Sequence, residues 1–338
     1  MSPKAQHPLL ARSAFSLIEV LVATAVLGLV MVILVSITDH VRKTYQFTRG
    51  KADQFKEARA AFETMARRIS QATLNTYWDY DLPASPNYYV RQSELRFRTG
   101  QASMLLPPNT KTVTHAIFFQ TQSGLVKDNK LAGLENLLNT CGYFIEFGDD
   151  SNIRPSILPG SFPKRYRFRL MELIEPSDEL SLYKHTFDKR EYKDFGWFRD
   201  PLTKNPRPAR VLAENVVALI VWPKDPENNS LTSDYAYDSA PNNTPDQPWS
   251  EHQLPPLIHL TMVVIDEDSA RRLADRYGDQ MPDILKTWWF TQSNQSKYDE
   301  DMGWLRRQLT GEWEAKERVS FRIFTTTISL RGAKWNRL

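Results

Sequence analysis

The run VLVATAVLGLVMVILVSI, Val20–Ile37, contains no charged residue. A helix over Ser16–Thr38, at about 1.5 Å per residue, is just long enough to cross a hydrocarbon core of about 30 Å. A segment of this kind is long and apolar enough to span a bilayer. The residues before it, MSPKAQHPLLARSA (1–14), carry Lys4 and Arg12 and no acid. A basic leader of this sort stays in the cytoplasm and directs the C-terminal bulk outward, although Arg42 and Lys43 at the far end weaken that bias.

Three explanations compete for the segment. A cleaved secretory signal has a shorter, uncharged apolar region and ends in small residues of the A-x-A kind. This run is longer, carries Glu19 near its start and lacks a good A-x-A at its end. A plain membrane anchor accounts for the length but not for Glu19, because a lone carboxylate in a spanning helix costs about 2.5–3.5 kcal/mol on insertion scales. In the third explanation Glu19 has a partner. A nearby charge of opposite sign would lower the burial cost of each.

The octapeptide S-A-F-S-L-I-E-V, Ser13–Val20, resembles the cleavage and methylation motif of type IV prepilins and pseudopilins. The resemblance implies that a prepilin peptidase cuts between Ala14 and Phe15 and methylates the amine of Phe15. Glu19 then stands at the acidic fifth position of the mature chain, where it serves assembly. The family usually has Gly before the cut, and here Ala14 takes its place.

Beyond Ile37 the chain turns polar but keeps an apolar stripe at steps of three and four: Val41, Tyr45, Thr48, Ala52, Phe55, Ala58, Phe62, Met65, Ile69 and Ala72. No proline occurs between Leu9 and Pro83. The pattern predicts one long helix over 15–75, on the order of 90 Å at 1.5 Å per residue, apolar first and amphipathic afterwards, with Gly50 a local weak point. Its second half is expected to pack on the chain's own sheet. Its first half is expected to bundle with similar helices.

The remainder, 76–338, reads as strands with long loops. Strand patterns cover Glu94–Arg98, Ala116–Gln120, Tyr143–Phe147, Tyr166–Leu173, Val216–Trp222, Leu257–Ile265 and Ser320–Leu330. In Arg165–Leu170 basic residues alternate with aromatic and apolar ones, which predicts a strand with one solvated face. The stretches 223–250, rich in Pro, Asn, Asp and Ser, and 282–300 read as loops. Asp266 and Asp268 mark a helix start, and Met302–Lys316 has a helical pattern. Trp288 and Trp289 in Lys286–Phe290 are expected in the core. The fold expected is therefore α+β, a long N-terminal helix packed on an antiparallel β-sheet domain, which the resemblance makes pilin-like.

Little points to chemistry carried by the chain itself. A net charge of +3 gives no field for nucleic acid. The six histidines are scattered without ligand spacing, and the glycine-rich, nucleophile-elbow and zincin motifs are missing. Asp225, Glu227, Asp234 and Asp238 do not follow an EF-hand spacing, so calcium ligation is the weaker reading of that acidic loop. The single cysteine, Cys141, reads as a buried apolar residue. No enzyme activity, cofactor or metal is expected.

Four stretches, ARAAFETMARRISQA (58–72), LAENVVALIVWPKD (212–225), LPPLIHLTMVVID (254–266) and FRIFTTTISLR (321–331), resemble in order the J-type minor pseudopilin of type II secretion systems. The last is also similar to the ending of the Verru_Chthon cassette proteins, most like type C. The long loops and the insertion around 267–318 depart from the J-type pattern. The resemblance implies a single-pass bacterial inner-membrane protein with a periplasmic domain. Its partners would be prepilin peptidase and other pilin-like subunits, and it would initiate or cap a filament of a type II secretion or type IV pilus system, at the tip of a short pseudopilus. The alternative expectation is a binding module on a pilin-like anchor, recognising a substrate, DNA or a surface through its long loops.

Overall fold

The computed structural model describes all residues except 1–15, 81–88, 132, 134–136, 152, 155–156, 158–161, 185–194, 241–249, 286–287, 313–317 and 336–338. The first helix, α1, runs Leu17–Ile69. It contributes to two compact units that part between Asp53 and Gln54.

In the first unit α1 carries the apolar span, which extends over Leu17–Arg42 rather than stopping at Thr38. In the second unit the face Phe55, Ala58, Phe62, Met65 and Ile69 is buried. A helix this polar elsewhere draws its stability from such a packed face rather than from propensity. The helix ends at Ile69, six residues before the expected 75. The Gln71 and Ala72 N–H groups close tight turns onto Arg68 and Ile69, and the Thr73 N–H then pairs with the Gln120 carbonyl at 2.9 Å. The chain leaves the helix because the sheet offers that bond.

The strands are β1 (Tyr77–Tyr80), β2 (Tyr89–Gln92), β3 (Phe97–Gln101), β4 (His115–Gln122), β5 (Leu138–Gly148), β6 (Arg167–Glu175), β7 (Ala209–Glu214), β8 (Val216–Lys224), β9 (Tyr237–Asp238), β10 (Leu257–Ile265) and β11 (Phe321–Ser329). The remaining helices are α2 (Ala102–Leu105), α3 (Gly196–Thr203), α4 (Glu267–Tyr277) and α5 (Gln295–Thr310). Among the described residues every pairing is antiparallel. One sheet has the order β7-β6-β5-β4-β3-β9, a second β11-β10-β8, and β1 and β2 form a ribbon. The second unit is thus α+β, with antiparallel sheets.

One core joins the α1 face to Phe97, Ile117, Phe119, Tyr143 and Ile145 of the large sheet and to β8 and β10. The opposite face of the large sheet holds a second cluster, in which Phe118, Phe144, Trp197 and Phe198 pack together. Strand β8 lies at the rim of its own sheet, yet all nine of its residues are buried. Side chains cap its free edge. Thr114 Oγ1 accepts the Leu219 N–H at 3.0 Å, and His115 Nδ1 accepts the Val221 N–H at 3.1 Å. Buried main-chain donors need such partners, and here side chains next to β4 supply what a strand would have supplied.

Several expectations are corrected by packing. The strand at Arg165–Leu170 has no solvated face: Arg167 and Arg169 are buried. Their guanidinium groups meet Glu267 and Glu214, and the Arg169 group also donates to the Gly148 and Asp149 carbonyls. The stretch 223–250 is not all loop. Tyr235 and Tyr237 within it are fully buried, and β9 pairs with β3. The last six residues of 282–300 belong to α5, which starts at Gln295, with the Asn294 side chain accepting from the Lys297 N–H, and is capped by Gly311 in the left-handed conformation. It therefore begins before the expected Met302 and stops before Lys316, which lies outside the described residues. The Trp pair divides: Trp289 is buried, whereas Trp288 is half exposed. Asp266 caps α4 by accepting from the Ser269 N–H, as expected, and Asp268 sits in the first turn.

Candidate functional site: the apolar helix and its first turn

None of the Leu17–Arg42 span is buried. Leu17, Ile18, Leu21, Leu27, Leu29 and Val32 each expose more than half of their surface. Soluble monomers rarely expose contiguous apolar patches beyond a few hundred Å². Two threonine hydroxyls of the run bond inside it. Thr24 Oγ1 donates to the Leu21 carbonyl at 2.9 Å, and Thr38 Oγ1 donates to the Leu34 carbonyl at 2.8 Å. With these hydroxyls bonded back to the backbone, the helix presents an apolar surface suited to lipid or to another helix.

Of the residues singled out in the sequence, Ala14 and Phe15 lie outside the described residues. Glu19 is described, and its geometry adds a local role. The Ser16 N–H donates to Glu19 Oε2 at 2.9 Å, and the Glu19 N–H donates to Ser16 Oγ at 3.3 Å. This is a reciprocal capping box, S-x-x-E, in which each side chain satisfies an amide that the helix start leaves open. The S-x-x-E spacing stands in the sequence, where the charge of Glu19 points to an amine partner and the spacing to a cap. The two roles are compatible, because the bonded Ser16 amide is directly joined to residue 15.

The second unit holds buried charge, and its geometry is structural. Glu172 on β6 is fully buried. It receives Arg68 from α1, Arg210 from β7 at 2.7 Å and the Tyr143 hydroxyl at 2.8 Å. These bonds tie the last turn of α1 to the large sheet. Glu175, also buried, accepts from the Ser181 N–H and hydroxyl at 3.0 and 2.7 Å and pairs with Lys204 at 3.0 Å. Burial and hydrogen bonding of this completeness leave neither carboxylate free to act on a substrate.

The acidic loop is spent on itself. Asp225 accepts from the Asn229 N–H at 2.8 Å, Glu227 from the Asn229 side chain at 3.4 Å and Asp234 from the Ala236 N–H at 3.3 Å. Asp238 pairs with Arg98. Among the described residues no three His, Cys, Asp or Glu side chains gather as a metal-ligand set. Cys141 is fully buried on β5, and burial pushes its thiol up to about 12, a value that leaves it unreactive. His115 is buried as well, and burial pulls it down to about 4. Its Nδ1 accepts from Val221, so Nε2 carries the proton and donates to the Phe290 carbonyl at 2.9 Å. His259 packs its ring against Trp222 and Tyr298 and lies 3.2 Å from the Thr327 hydroxyl, on the central strand of its sheet.

No family model matches the chain, and neither a curated protein nor a solved structure matches it.

Proposed function

We propose that the chain is a structural subunit of the pilin-like class, a minor pseudopilin of a type II secretion or type IV pilus assembly. It is held in a bacterial inner membrane by α1, its globular unit lies in the periplasm, and it initiates or caps the filament. The observation that carries this reading is the wholly exposed apolar span with a carboxylate in its first turn, on a helix that also supplies the packed face of an antiparallel α+β unit. The span needs lipid before assembly and neighbouring helices after it. Prepilin peptidase is the processing partner, acting at Ala14–Phe15, and Glu19 of one subunit pairs with the new amine of Phe15 on the same or a neighbouring subunit.

The capping box makes the Glu19 mechanism separable into two parts. Glutamine serves at the same capping position as glutamate, but it carries no charge. Glu19→Gln therefore keeps the helix start and removes the ion pair, whereas Glu19→Ala removes both. Both variants are expected to enter the membrane and to lose co-isolation with the other pilin-like subunits of the host. Normal co-isolation of Glu19→Gln, with only Glu19→Ala defective, would reduce Glu19 to a cap and contradict the pairing mechanism.

The alternative reading is capture of a substrate, DNA or a surface by the long loops, and within 223–250 Tyr235 and Tyr237 are buried. Deletion of 226–247 would report on folding rather than on binding.

A further inference from the structure

We infer that the outer edge of β11 is a docking edge for an extended, acid-bearing segment of a different protein, which would add a strand to the sheet β11-β10-β8. The edge lies within the Gln54–Leu338 unit, and the inference does not depend on Leu17–Arg42 spanning a membrane.

The edge is long, regular and open. Strand β11 pairs with β10 over all nine of its residues without a bulge. The Asp266 N–H donates to the Ser320 carbonyl at 2.9 Å, and the Leu330 N–H donates to the Pro256 carbonyl at 3.1 Å. The even-numbered residues from 320 to 330 therefore bond β10. Phe321, Ile323, Thr325, Thr327 and Ser329 aim their N–H and C=O groups away from it. The chain closes this outward row at its two ends. The Val319 N–H donates to the Leu309 carbonyl at 2.8 Å, and the Arg331 N–H donates to the Ser70 carbonyl at 3.1 Å. Among the described residues the five between have no main-chain partner on the outward side.

The other rims of the unit are protected in ways that β11 is not. At the far rim of the same sheet, Thr114 and His115 cap β8. Strand β7 has six residues and shifts register against β6, and β9 has two residues. Short strands, bulges and edge charges all discourage pairing. The one charge on β11, Arg322, does not screen the edge, because its guanidinium lies over the Phe55 ring, 4.9 Å from the centroid. The hydroxyls of Thr325 and Thr327 are engaged across β10, with Thr261 and His259, both at 3.2 Å.

Charge selects the occupant. The stretch 318–334 carries four cations, Arg318, Arg322, Arg331 and Lys334, and no acid. All four are exposed, and among the described residues none has a carboxylate partner. A strand laid along the edge would meet cations at both ends and the β-branched Ile323, Thr325 and Thr327 between them. The matching segment is about nine residues long, on the order of 30 Å when extended, with a β-branched centre and carboxylates at both ends. A second copy of β11 is a poor match. Antiparallel pairing centred on Thr325 would set Arg318 of one copy next to Arg331 of the other, with no acid to offset them.

The test is residue-resolved amide hydrogen exchange on the full chain in detergent. Two synthetic nonapeptides serve as probes, a Thr-Val-Thr-Val-Thr core with an aspartate pair at each end and the same core with lysine pairs. In the free protein the outward amides of Phe321, Ile323, Thr325, Thr327 and Ser329 are expected to exchange fast, and those of Arg322, Phe324, Thr326 and Ile328 slowly. Slow exchange of the outward set without peptide, or protection that grows with protein concentration, would mean that the chain or a second copy already covers the edge, and would overturn the proposal. The aspartate peptide is expected to slow the outward set by about tenfold or more, and the lysine peptide to leave it unchanged. No protection by either, or equal protection by both, would overturn it as well. Thr327→Pro removes one outward N–H and no bond to β10, so it is expected to abolish the protection. Unchanged protection would place the peptide elsewhere. Should the proline also expose the β10-facing amides, Arg322→Glu decides. It leaves the backbone intact and is expected to weaken the aspartate peptide by about fivefold, and undiminished binding would contradict the charge match.

Discussion

At single residues the structure turns on a few buried groups with no slack. His115 is one of them. Its folded form stays neutral down to about 4, against an ordinary value of 6.5, so between those values the unfolded chain binds a proton that the folded chain does not. Stability is therefore full above about pH 6.5 and declines as pH falls through the window, by roughly 3 kcal/mol in all. His115→Gln, which cannot titrate, is expected to flatten the part of the slope that His115 supplies. Urea midpoints measured from pH 7 to pH 4.5 on both proteins check this, and parallel slopes would contradict it. Gly142 is a second such position. It pairs with Phe118 across β4 and β5, and a Cβ there would sit 2.2 Å from the Phe118 ring, itself stacked 4.1 Å from Phe198. Gly142→Ala is expected to cost about 1–3 kcal/mol of unfolding free energy, since the ring cannot yield without disturbing the aromatic layer.

Among the elements, apolar pattern was legible in the sequence and neighbour-dependent structure was not. Strand β10 runs over the expected Leu257–Ile265, because nine residues rich in β-branched and aliphatic side chains occupy the centre of a sheet. Strands β4, β5, β6 and β8 appear where expected but longer, since pairing extends a strand past its apolar centre. The ribbon β1–β2, the rim strand β7 and the two-residue β9 went unread. Each is held by a partner rather than by its own periodicity. The same holds for the charges. Alternation in Arg165–Leu170 predicted a wet face, but ion pairs with Glu267 and Glu214 let Arg167 and Arg169 go inside. The correction at β9 carries its own test. Tyr237 packs edge-on against Phe97, with ring centroids 5.9 Å apart, and its hydroxyl bonds the Gln253 carbonyl at 3.0 Å. Tyr237→Ala is expected to destabilise the chain by about 3–5 kcal/mol in denaturant unfolding, where a loop tyrosine would cost close to nothing.

For the molecule as a whole, the division of labour was visible before the structure was. Eighteen uncharged residues leave little choice but a membrane or a helix bundle, and the α+β unit follows from alternating strands after a long amphipathic helix. The reciprocal bonds of Ser16 and Glu19 were equally present in the S-x-x-E spacing, yet a charge in an apolar helix draws attention to distant partners before local ones. The pilin-like reading stands or falls at the Ala14–Phe15 bond. The most direct measurement is the intact and N-terminal peptide mass of the full chain, expressed with and without an active prepilin peptidase. The reading predicts a new terminus at Phe15, heavier by one methyl group, only when the peptidase is present. A chain still starting at Met1 beside a peptidase that processes a control prepilin would contradict it and leave α1 as an ordinary membrane anchor.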